Sequence, residues 1–206
     1  MLSYVLIAEG SSDRALLPFI NQCIRKKYQK DLNPIFAIFN SIAPKPRTIL
    51  DKLKAAHALY PSANLFIIHR DSDNAGHNNR EDEIVQAASK IHHCTPYIPI
   101  IPTTMTEAWL LVDERAIYKA VNNPNGTIKL SLPRINAIEK IKDPKNLLFD
   151  LFRQASGLTA RRRSSLDLFE CRQICAKNVT AFDRLENLGS FQKFSEKINQ
   201  YLSEFH

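Results

Sequence analysis

The chain has 206 residues, 44% of them hydrophobic, only 5 glycines, and a formal charge of +7. That length suits one sizeable domain, or one domain with an extension, and the apolar fraction suffices for a core. No low-complexity tract or internal repeat occurs, and no apolar run nears the roughly 20 residues of a membrane helix, which excludes repeat and helical membrane-spanning classes. Met1–Ala8 lacks a basic n-region and reads as a first strand rather than a signal peptide. The expectation is a cytoplasmic protein with no membrane partner.

In chain order, residues 3–9 read as a strand by continuous apolar character. Ser11 or Ser12 can cap a helix running to about Tyr28, with Pro18 implying a kink or a late start. Pro34–Asn40 is a second strand and Arg47–Tyr60 a second helix. Residues 64–70 are a third strand, Arg80–His92 a third helix, and Tyr97–Ile101 a fourth strand closed by Pro102. Repeated β-α-β of this kind predicts an α/β fold with a four-stranded, mostly parallel sheet covered by helices on both faces.

From Thr106 the character changes. Glu107–Val112 continues into a helix through Val121, stopped by Asn122-Asn123-Pro124-Asn125-Gly126. Asp143-Pro144 is a cap followed by a first-turn proline, and Gly157 a stop. Arg161–Lys177 reads as a basic helix, and Ser190 opens a last amphipathic one. The division predicted is a core over 1–125 and a basic helical extension over 126–206, packed on the core.

The four cysteines, Cys23, Cys94, Cys171 and Cys175, lack C-x-x-C spacing, so reduced buried thiols are expected rather than zinc ligands. Charge is unevenly placed. Residues 129–177 hold 11 Lys/Arg against 5 Asp/Glu, whereas residues 1–128 hold 14 against 12. Such asymmetry points to a polyanionic partner gripped by one part of the chain. A solvated basic helix face would show the same pattern.

Two acidic runs end apolar strands. Glu9-Gly10-Ser11-Ser12-Asp13 follows Tyr4–Ala8, and Asp71-Ser72-Asp73 follows Leu65–Ile68, with Gly76 and Arg80 after it. Open α/β sheets bind ligands at the C-terminal ends of their strands. Carboxylates converging there repel one another unless a divalent cation sits among them, and oxygen-rich ligand sets favour Mg²⁺ or Mn²⁺.

E-G-x-x-D at Glu9–Asp13 and D-x-D-x-x-G at Asp71–Gly76, each after its own strand, resemble the TOPRIM superfamily over roughly residues 1–110. That superfamily unites catalytic domains of topoisomerases, bacterial primases, OLD-family nucleases and small RNA-maturation nucleases. Glu107-Ala108-Trp109-Leu110-Leu111 resembles an acidic element of small stand-alone TOPRIM-like proteins that accompany bacterial and phage defence loci. In one departure, Asn40–Lys45 replaces a Gly-rich turn that many members carry after the second strand.

The resemblance implies a Rossmann-like TOPRIM core with a C-terminal helical extension, acting as a Mg²⁺- or Mn²⁺-dependent nuclease in anti-phage or anti-plasmid defence. Glu9 would be general acid/base or ligand. Asp71 and Asp73 would hold the ion, and Asp13 and Glu107 would complete one or two sites. Arg70 or Arg80 would neutralise transition-state charge. Arg161, Arg162, Arg163, Arg172 and Lys177 are the residues expected to grip DNA or RNA, with a partner ATPase or a homodimer as further partners.

Two other classes stay open. One is a non-catalytic subunit that binds nucleic acid or a partner. The other is a phosphatase using Asp71 as nucleophile, although such enzymes place D-x-D after their first strand. Trp109 reads as core rather than a base-stacking residue, and His69 and His77 as neighbours of the site rather than ligands.

Overall fold

The computed structural model describes residues 1–205. They form two compact units, residues 1–101 together with the chain from Phe194 onward, and Pro102–Lys193. The division therefore falls earlier than residue 125, and the end of the last helix joins the sheet rather than the helical extension.

The first unit is built on β1 (Leu2–Ile7), β2 (Leu32–Phe36), β3 (Leu65–His69) and β4 (Tyr97–Ile100). They pair in the order β2-β1-β3-β4 and every pairing is parallel. All six residues of β1 are buried, as a central strand covered on both faces requires. Pro34 and Pro99 lie in β2 and β4, the two edge strands, where a missing N–H costs least.

On one face Val5, Ile7, Phe66 and Ile68 pack with Leu53 and Ala56 of α2 (Ile49–Leu59) and Ile84 of α3 (His77–Ala88). Each of the larger apolar burials contributes roughly 1.5–3 kcal/mol. Thr48 caps α2 through a reciprocal bond pair with Asp51. The third helix begins earlier than expected because Gly76, at φ 83°, supplies the left-handed turn before it.

Elsewhere in this unit the Tyr4 hydroxyl donates to Asn21 Oδ1 at 2.8 Å from α1 (Leu17–Arg25). The first helix does start late. Ser11–Leu16 is a 3₁₀ turn, and Pro18 falls in the first turn of α1, where its absent N–H needs no partner.

The second unit is helical: α4 (Glu107–Leu110), α5 (Glu114–Ala120), α6 (Ile135–Ile138), α7 (Pro144–Ala155), α8 (Ala160–Arg163), α9 (Leu168–Asn178) and α10 (Phe182–Leu185). The last helix, α11 (Gly189–Glu204), begins here and ends in the first unit. Within the first unit its Tyr201 hydroxyl donates to the Asn64 carbonyl at 3.0 Å, and Lys197 pairs with Glu81.

Two long helices expected from sequence are each broken in two. Asp113 caps α5, accepting from Ala116 N at 3.2 Å, and thereby separates α5 from α4. The basic segment splits into α8 and α9 at Ser164–Asp167, where Asp167 caps the second piece. Trp109 is fully buried, donates to Ser190 Oγ at 2.9 Å and meets Phe191 edge-on, so it is core as expected. All four cysteines are free thiols, and Cys94 alone is partly exposed. Among the described residues no helix is long and apolar enough to cross a membrane.

Candidate functional site

The chain leaves β1 for β2 on one side and later inserts β3 on the other, so the order reverses between β1 and β3. Both strands run parallel with Ile7 beside Ile68, which places their two acidic loops at the same end of the sheet. This is the switch point at which open α/β sheets keep ligands. Glu9, Asp13, Asp71 and Asp73 all belong to it.

Each of these acids is met by a cation. Arg70 Nε lies 2.8 Å from Glu9 Oε1, and its Nη2 lies 3.2 Å from Glu83. Arg80 pairs with Glu83 at 2.8 Å, donates through Nε to the Asp71 carbonyl at 3.1 Å, and stands 4.0 Å from Asp73. Lys52 Nζ donates to the Ala8 carbonyl at 2.7 Å, pinning the end of β1.

His69, the last residue of β3, is buried between two carboxylates. Its Nδ1 is 3.3 Å from Asp13 and its Nε2 is 3.2 Å from Asp71. Burial alone would lower its pKa, but the two carboxylates outweigh it and raise the value to about 9. The Nε2 side forms a hydrogen bond with Asp71, and the Nδ1 side faces Asp13 at ion-pair distance. Asp13 is further fixed by accepting from the Gly10 N–H at 2.9 Å.

Asp71 and Asp73 flank a buried Ser72, whose carbonyl accepts from Ala75 N and Gly76 N and closes the loop. Asp73 sits at φ 41°, a left-handed position that Asp tolerates better than most residues, and half exposes its side chain. Among the described residues no three His, Cys, Asp or Glu side chains converge as a ready metal cluster. Asp71 and Asp73 nevertheless bring two hard carboxylate donors to one loop, and Mg²⁺ commonly takes one or two carboxylates and fills its octahedron with water and phosphate.

Glu107 belongs to the second unit and is committed there. Its Oε1 is 2.8 Å from Arg172 Nη1, and both side chains are 4% exposed. Arg172, expected to grip phosphate, is thereby removed from the surface. Arg161, Arg162 and Arg163 are exposed on α8, and Lys177 is exposed near the end of α9.

Sequence reasoning undervalued three residues. His69 was legible in principle, because residues two apart in an extended run share a side, and Asp71 is two beyond His69. Glu83, three residues from Arg80, has the spacing of a helical pair. Lys52 carried no signal, since only the packing of α2 brings it to Ala8. No family model, curated protein or solved structure matches the chain.

Proposed function

We propose that the protein is a divalent-metal-dependent phosphodiesterase acting on DNA or RNA, with the TOPRIM-like loops at the ends of β1 and β3 as its active site. The observation that carries this reading is that the Glu9/Asp13 and Asp71/Asp73 loops leave adjacent parallel strands at the switch point, with Glu9 paired to Arg70, the residue before Asp71. Asp71 and Asp73 are the residues that would hold Mg²⁺ or Mn²⁺. When bound, the ion supplies Lewis-acid polarisation of a phosphoryl oxygen and acidifies an attacking water.

The chain's own groups do the rest. Arg70 orients Glu9 through one carboxylate oxygen, so the other can take or give a proton at the scissile phosphate. Arg80 and Lys52 hold the two loop backbones by their carbonyls. His69 bridges Asp13 and Asp71 and holds them at a set spacing. The guanidinium groups of Arg70 and Arg80 neutralise charge that develops on the phosphate. A role in defence against phage or plasmids is proposed from the resemblance alone.

The ion pairs also favour a second reading. Acids already matched by cations suit a non-catalytic subunit that binds nucleic acid or a partner protein. One experiment separates the two. Purified protein with Mn²⁺ or Mg²⁺ is expected to nick plasmid DNA or degrade RNA, and EDTA or Asp71→Ala to stop it. Binding without turnover in any metal would select the non-catalytic reading, and cleavage undiminished in Asp71→Ala would reject the site.

A further inference from the structure

A cavity of about 430 Å³ opens beside Glu9 at the C-terminal ends of β1 and β2, within the first unit. Its volume lies in the range of small-molecule sites. Four cationic side chains line it, from Arg14, Lys45, Arg47 and Lys52, against the single carboxylate of Glu9. That carboxylate is already engaged by Arg70 at 2.8 Å. Among the described residues none of the four cations has a carboxylate salt-bridge partner. An uncompensated cluster of this kind around a concavity is built for an anion.

The remaining lining is not that of a bare phosphate site. Phe36 presents an aromatic ring, with the Arg14 guanidinium carbon 5.1 Å from its centroid. Ile38 is half exposed and the Asn40 side chain is at the surface. An aromatic or guanidinium plane stacks on a nucleobase, and a carboxamide reads a base edge. Lysine and arginine meet the phosphate, the arginine in bidentate fashion.

We propose that this cavity binds one phosphorylated nucleotide unit, with phosphate on the Lys45/Arg47 side and base on the Phe36 side. The unit is either a free mononucleotide or a terminal nucleotide of a strand. Binding itself does not depend on the phosphodiesterase reading. Only the assignment of the bound unit to the substrate strand rests on it.

The test is calorimetric titration of the purified full-length protein in EDTA with AMP, adenosine, inorganic phosphate, and a trinucleotide with or without a 5′-phosphate. AMP should bind, and adenosine should bind at least roughly tenfold more weakly, the loss expected for a charge-assisted contact. Lys45→Glu and Arg47→Glu, both at exposed positions, should each weaken AMP by roughly tenfold with unchanged thermal melting.

Displacement of AMP by the 5′-phosphorylated trinucleotide alone identifies a strand end, and binding of AMP without such displacement identifies a free nucleotide. Equal affinity for adenosine and AMP, equal affinity for phosphate and AMP, or indifference to both substitutions would overturn the proposal. Retained AMP binding in a protein that never cleaves would sink the phosphodiesterase reading and leave this one standing. Metal-dependent cleavage without AMP binding would do the reverse.

Discussion

Glu107 and Arg172 form a buried ion pair, and its energetics are asymmetric. Two charges taken out of water together can break even, whereas either one left alone in the interior is costly. Glu107→Ala should therefore destabilise the protein by about 3–5 kcal/mol in urea unfolding, whatever it does to activity. The paired replacement Glu107→Leu with Arg172→Met should recover most of that loss. A single variant as stable as the parent would mean that water reaches Arg172. An acidic residue in a motif thus need not be available to a ligand. Glu107 has the right chemistry for Mg²⁺, but its charge is already answered in the interior by a neighbour from α9.

At the scale of elements, Asp113 joins two helices. One oxygen caps α5, and the other accepts from the Thr180 N–H at 2.8 Å, the Thr180 hydroxyl at 3.1 Å and the Ala181 N–H at 3.2 Å, just before α10. Burial pushes its pKa up, but the Thr180, Ala116 and Ala181 donors outweigh burial and hold it below the usual carboxylate range. A depressed pKa contributes stability that is present above the unfolded value of about 3.9 and lost as pH falls through the folded value.

Asp113→Asn replaces an acceptor with a donor facing those groups. It should cost about 1–3 kcal/mol at pH 7, a deficit that shrinks as pH drops below roughly 4. Urea titrations at several pH values measure this. A deficit that stayed constant down to pH 2 would show that the ionised carboxylate is not what holds the two helices.

Across the whole molecule, the sign of the charge is sorted along the chain. The acids of the β1 and β3 loops are balanced locally by Arg70, Arg80 and His69, whereas Arg161 and Arg162 on α8 have no acidic partner among the described residues. If nucleic acid is the partner, unbalanced cations are the ones that displace its condensed counterions on binding. Reversing Arg161, Arg162 and Arg163 to Glu should weaken DNA or RNA binding and reduce the salt slope by roughly 0.7–0.9 for each phosphate no longer neutralised. An unchanged slope in a folded variant would place the polyanion on another surface.

Continuous apolar runs, capping residues and the stop at each proline or glycine determined from sequence alone that strands and helices alternate over the first hundred residues. They also put the acids at strand ends. These signals are local, since they depend on period and on backbone preference within a few residues. What only the tertiary structure decided is which charge answers which.

Arg172, read along a basic helix, looks like a surface cation, and its partner Glu107 is remote in sequence. His69 looks like a strand residue until the turn before α1 supplies Asp13. Likewise, the split at residue 101 and the return of α11 to the sheet follow from which apolar faces find each other, a choice that no local pattern encodes. Charge pairing and side-chain burial are properties of distance in space, and the folded chain sets that distance between residues far apart in sequence.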